Sequence, residues 1–180
     1  WWYVIGNNAN ALWLVFWHYY QVEVTLVFML ILLGTLLYSV IYMYRNPAQN
    51  ATERLCVDLG YHIYTGWISV ATVVNVTVVI FRNTTTGDDT AIMWATILVF
   101  VAAILALSQR YLRNDTAYGM VIAWALYGVG VKQQLYVQNG IMADAPQLTQ
   151  VAQITALAVA GILAVWWLAA TVRNLRAAPR

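Results

Sequence analysis

From Val24 to Tyr44 the chain carries no charged residue at all. A helix needs about 20 mostly apolar residues to cross the hydrocarbon of a bilayer, and only helices and closed barrels satisfy their backbone polar groups there. Such runs recur. The spans read as roughly 2–20, 22–44, 60–81, 90–109, 117–131 and 149–172, the fifth being short. Composition agrees: 62% of the 180 residues are hydrophobic and 9% charged, against about 25% charged in a soluble domain. The expected fold is all-α, a single polytopic integral membrane bundle of about six transmembrane helices over 1–180.

The connections read as loops. Arg45-Asn46-Pro47 ends the second span, 83–89 is polar, and Arg113-Asn114-Asp115 is a tight turn. The stretch 133–147 is long enough for a short interfacial helix. With six spans, Arg45, Arg54, Arg110, Arg113, Arg173, Arg176 and Arg180 share one side, and Arg82 and Lys132 the other. The positive-inside rule then places residue 1 and the carboxyl terminus on the cytoplasmic-equivalent side of a bacterial inner membrane or an organelle membrane. Sequons occur at Asn50, Asn75, Asn83 and Asn114, of which Asn83 alone falls on the other side.

No Asp, Glu, Lys or Arg occupies the centre of a span, which counts against proton pumping, ion-coupled transport and voltage sensing. The buried polar groups are mild: Asn10, Ser69, Thr72, Asn75, Thr77, Thr96 and Thr155, residues that commonly bond across helices. A formal charge of +2 gives no footprint for nucleic acid. Cys56 is the single cysteine, so an internal disulfide is excluded and no metal-ligand cluster is spelled. His18 and His62 fall at opposite ends of their spans, about 30 Å apart in depth, too far to ligate one iron together. Asp88-Asp89, Glu53 and Asp58 read as solvated loop charges, and Cys56 has no adjacent histidine. No catalytic residue is assigned, and a non-enzymatic protein is expected.

Nine Trp and 12 Tyr are many for this length. Interfacial belts account for those near span ends. Trp13, Trp67 and Trp124 lie deeper, where packing or an aromatic-walled pocket would use them. In the last span Ala152, Ala156, Ala160 and Ala164 recur every four residues, a small-residue seam for close helix approach.

The third span reads Tyr64-Thr-Gly-Trp67-Ile-Ser-Val-Ala71-Thr-Val-Val-Asn75, and the first carries Asn10-Ala-Leu-Trp13 followed by Phe16 and Trp17. These resemble the tryptophan-rich sensory protein/translocator protein family (TspO/MBR). The last helix of that family reads P-Y-x-x-W-x-x-F-A-x-x-L-N and its third L-N-x-x-W-x-x-x-F-F. Tyr64, Trp67, Ala71 and Asn75 match the former; Asn10 and Trp13 match the latter. Residues 7–82 thus resemble helices three to five of the family, with 90–173 as additional carboxyl-terminal helices. The chain starts at Trp1 rather than methionine, and the first two helices of the family, with their W-x-P-P loop, would lie upstream. Ile63 stands where the motif has proline, and Phe81 rather than tyrosine precedes Arg82, so the sterol-recognition pattern is not completed there.

The resemblance implies a ligand-binding membrane protein. The ligand would be a flat hydrophobic molecule, a tetrapyrrole such as porphyrin or haem. Trp13, Trp67 and Trp124 would supply aromatic faces, and Asn10 and Asn75 hydrogen bonds, with Tyr64 and Ala71 in the same motif. The competing expectation is an accessory structural subunit of a respiratory or photosynthetic complex, in which the same faces pack against neighbours. Membrane lipids are the expected partners under either reading, with a homo-oligomer or a larger membrane complex as the assembly and no nucleic acid.

Overall fold

The computed structural model describes residues 1–83, 88–113, 115–139 and 145–177, and all regular structure among them is helical. The elements are α1 Trp2–His18, α2 Val22–Arg45, the single turn α3 Ala51–Glu53, a π-helical turn Arg54–Asp58, α4 Leu59–Asn83, α5 Asp88–Arg113, α6 Thr116–Gln138 and α7 Ala145–Ala177. Four stretches of described residues are long and apolar enough to cross a membrane: Val22–Arg45, Ala51–Ile80, Thr96–Arg113 and Gln147–Arg173. The protein is a polytopic helical membrane bundle. Its chain forms two compact units, Trp1–Leu98 and Val99–Arg180.

In the first unit α2 packs against α1 and against α4. Its core is Ala9, Met29, Leu32, Leu36 and Ile68, with Trp13, Leu33, Tyr61, Tyr64 and Ala71 packed around it. The buried hydroxyls bond to carbonyls of their own helix: Thr25 to Val22 (2.6 Å), Thr35 to Leu32 (2.7 Å), Thr65 to Tyr61 (2.6 Å) and Thr72 to Ile68 (2.7 Å). This is how a threonine enters an apolar interface without leaving a donor unpaired.

The turn between α1 and α2 is tight. The Tyr20 N–H bonds to the Trp17 carbonyl (3.0 Å) and the Gln21 N–H to that of Phe16 (3.0 Å), the pairing of a Schellman motif. Its left-handed residue is Tyr20, at φ 57°, where glycine is usual. Arg82 at the end of α4 donates from Nη1 to the Tyr20 carbonyl (3.0 Å), and its Nε lies 3.9 Å from Glu23 Oε1.

Residues 46–59, read above as a connection, are largely helical. Asn50 Oδ1 accepts the Glu53 N–H (2.8 Å) and Glu53 Oε2 accepts the Gln49 N–H (2.9 Å), a variant of the capping box. That cap starts a helix which runs through the π turn into α4. Glu53 and Asp58 are therefore helical residues, not loop charges.

In the second unit α6 and α7 pack along their length. A Cβ on Gly119 would lie 2.8 Å from Leu163 Cδ1, and one on Gly130 would lie 2.6 Å from Gln153 Cγ. The rising number on α6 meets a falling one on α7, so the pair is antiparallel. The buried line on α7 is Leu148, Ala152, Ala156, Val159 and Leu163, whereas Ala164 is exposed. A strict four-residue repeat drifts about 40° per step on a helix of 3.6 residues per turn, so the alanine seam leaves the interface after Ala156. α6 also continues to Gln138, past the span read as ending at Val131.

Candidate functional site

A cavity of about 380 Å³ opens in the first unit over α2. Its walls are Trp2, Tyr3, Gly6 and Asn7 of α1, Leu32, Thr35, Leu36 and Ser39 of α2, and Cys56, Val57, Gly60, Tyr61 and Tyr64 from the π turn and α4. It lies toward the end of the unit that carries Arg45 and Arg54.

Local sequence explains the space. Gly6 lets α1 approach α2 so closely that an added Cβ would lie 2.7 Å from Thr35 Oγ1. Opposite, a Cβ on Gly60 would meet nothing within 4 Å, so α4 leaves a gap where α1 does not. The π turn brings Cys56 and Val57 to the same wall as Gly60, Tyr61 and Tyr64. The Trp2 ring lies 5.0 Å from that of Tyr38. Polar capacity is modest: the Thr35 hydroxyl donates to Leu32 and the Ser39 hydroxyl to the Thr35 carbonyl (2.9 Å), leaving their oxygens as acceptors. Just outside the lining, the Tyr44 hydroxyl sits 3.4 Å from His62 Nδ1 with the rings edge to face.

Of the residues singled out in the sequence, Tyr64 lines this cavity. Trp13 and Ala71 pack on the core beside it; the Trp13 indole N–H is buried with no hydrogen-bond partner. Asn10 is half-buried one turn before Trp13. Asn75 is 3% exposed; its Nδ2 donates to the Ala71 carbonyl (2.9 Å), and its Oδ1 accepts from Thr25 Oγ1 at 3.4 Å. The first bond stays within α4; the second is a long contact that reaches α2, since the Thr25 proton is committed to Val22 at 2.6 Å. Trp67 is 42% exposed. The stripe of Trp67, Ala71 and Asn75 thus turns from the outside of α4 into its contact with α2, as a four-residue spacing must. Trp124 belongs to the second unit, where it projects outward from α6 and is 66% exposed.

The sequence reading missed Trp2, Tyr3, Gly6 and Gly60 as wall residues. Trp2 and Tyr3 were assigned to an interfacial belt by their place at a span end. The usable signal was the pair of glycines, each inside a helix where alanine would be preferred. Among the described residues no three His, Cys, Asp or Glu side chains come together as metal ligands would.

Fold and cavity together define a polytopic helical membrane protein with a small, aromatic-walled cavity near one end of its first unit. Over residues 1–169 the chain matches the model of a family described as TSPO-like protein, and it belongs to that family. The match takes in α5, α6 and most of α7 as well as the motif-bearing stretch 7–82. No curated protein and no solved structure matches it.

Proposed function

We propose that the protein binds a flat hydrophobic ligand, a tetrapyrrole such as porphyrin or haem, in the cavity of its first unit, and that it handles this ligand rather than transforming it. The observation that carries the reading is the wall itself: Trp2, Tyr3, Tyr61 and Tyr64 around about 380 Å³. Small-molecule sites occupy about 300–1,000 Å³ and are mostly apolar with a few polar groups. A macrocycle would enter by one edge, stacked on aromatic faces. Its acidic side chains would be directed to the end bearing Arg45 and Arg54. His62 is not a lining residue and its Nδ1 is beside the Tyr44 hydroxyl, so the walls suit the ring through its faces better than an iron through an imidazole. The excess of arginine at this end supports a cytoplasmic-equivalent orientation for it.

The outward Trp67 and Trp124 favour the second reading, an accessory subunit whose aromatic faces meet neighbouring chains. One preparation tests both. The absorption spectrum of the natively purified protein is recorded, its co-purifying proteins are identified, and porphyrin is titrated into the isolated chain. Gly60→Leu fills the cavity from a position where a Cβ meets nothing, and should abolish saturable binding with the helix content unchanged. Gly34→Leu, equally open but outside the lining, should not. Full affinity in Gly60→Leu, combined with loss in a Trp67→Phe, Asn75→Leu double variant, would move the site to the motif residues. A colourless chain inseparable from many partners would favour the subunit reading.

A further inference from the structure

Arg110 is a charged side chain buried in the second unit. It lies near the end of α5, is 3% exposed, and its Nε has no hydrogen-bond partner. Its Cζ sits 5.0 Å from the ring centroid of Trp166 on α7, and Tyr111 meets the same ring at 6.0 Å. The guanidinium group is a permanent cation with five N–H donors in one plane. Contact with an aromatic face answers part of its charge but none of its hydrogen bonding. Asp115, five residues on, caps the start of α6, where its Oδ1 accepts the Tyr118 N–H (3.0 Å).

The surroundings state what would complete the site. Arg113 is one turn from Arg110 on the same helix, and Arg173 is two turns beyond Trp166 on the Trp166 side of α7; both are exposed. Cations on the same helix sides as Arg110 and Trp166 disfavour a cationic guest and favour an oxyanion. Arg110 is three residues from the end of the apolar stretch Thr96–Arg113, and Trp166 seven from the end of Gln147–Arg173. At 1.5 Å per residue both lie within about 10 Å of a span end, the depth of phospholipid headgroups. An arginine fork binds phosphate oxygens in pairs.

We propose that Arg110, backed by Trp166, anchors a phosphate-binding site for a membrane phospholipid at the arginine-rich end of α5 and α7. The acyl chains run along the apolar helix surfaces and the phosphate closes on the guanidinium edge. This site lies in the second unit and is independent of the ligand cavity in the first.

The test uses the full chain, delipidated in neutral detergent. It is titrated separately with phosphatidic acid, with diacylglycerol of the same acyl chains, and with inorganic phosphate, and read by native mass spectrometry and tryptophan emission. Phosphatidic acid should bind saturably and diacylglycerol should not. Arg110→Gln should weaken phosphatidic acid by about tenfold or more, the loss of a charge-assisted hydrogen bond, while Arg113→Gln changes it by much less. Arg110→Lys keeps the cation but not the planar fork, and should fall between, which separates the site from misfolding of the glutamine variant. Saturation by inorganic phosphate without phosphatidic acid binding would overturn the lipid as the source of the phosphate. Equal binding of phosphatidic acid and diacylglycerol, or unchanged phosphatidic acid affinity in both Arg110 variants, would overturn the site.

Discussion

Replacing Gly6 by alanine should change stability in opposite directions depending on residue 35. In the wild-type protein the new Cβ would lie 2.7 Å from Thr35 Oγ1, which is held by its 2.7 Å bond to the Leu32 carbonyl. Relieving that overlap means parting α1 from α2 or breaking the hydroxyl bond, and overpacking of this kind costs about 1–3 kcal/mol. Alanine returns up to about 1 kcal/mol in helix propensity, so a net destabilisation of about 1 kcal/mol is expected. In a Thr35→Ala background the hydroxyl is gone. The next atoms are the residue 35 Cβ at 3.4 Å and Leu32 Cδ1 at 3.9 Å, ordinary contacts, so only the propensity gain remains and Gly6→Ala should stabilise. The coupling between the two substitutions is then about 2 kcal/mol. Reversible unfolding of all four variants in mixed detergent micelles, followed by helical signal and tryptophan emission, measures it. An effect of Gly6→Ala that is equal in sign and size in both backgrounds would refute the close approach of α1 to α2.

Other consequences are as direct. Met29→Ala, at a fully buried core position, should cost about 2–5 kcal/mol in the same unfolding assay, and Leu30→Ala, on the exposed side, far less. Tyr20→Gly should raise stability by about 1 kcal/mol by removing a side chain from the left-handed position; a loss instead would mean that the ring matters more than the backbone. Glu23→Gln should shift stability by less than about 1 kcal/mol, because its 3.9 Å pair with Arg82 is half exposed. Gly128→Ala should be neutral or stabilising and Gly130→Ala destabilising, since the first faces open space and the second meets Gln153; thermal unfolding of the two single variants separates them.

Helix positions were largely legible because hydrophobic runs mark them: α2 differs from its reading by one residue. The misses share a cause. Hydropathy reports where apolar character stops, not where the helix does, so α6 runs seven residues past its expected end through Lys132 and Gln134. Likewise Asn50-Ala-Thr spelled a sequon, yet Asn50 serves as a helix cap whose partner Glu53 is visible three residues on. The sequons at Asn83 and Asn114 lie outside what is described of the side chains. The candidate site was less legible. Large aromatic residues draw attention as walls, but a cavity is made by what is small, here Gly6 and Gly60, and by a phase change no hydropathy pattern records. Asn75 was read both as interhelix glue and as a ligand group; its Nδ2 bonds within α4 and its Oδ1 faces Thr25 of α2.

That phase change has a historical reading. A π turn is an α-helix carrying one surplus residue, so the side chains before Arg54–Asp58 are rotated by about 100° from where an uninterrupted helix would hold them. Cys56 and Val57 reach the cavity from within this turn. Insertion of one codon is enough to create such a turn, and deletion of one codon to erase it. The part of the wall supplied by Cys56 and Val57 therefore hangs on one surplus residue, and the helices that cross the membrane do not.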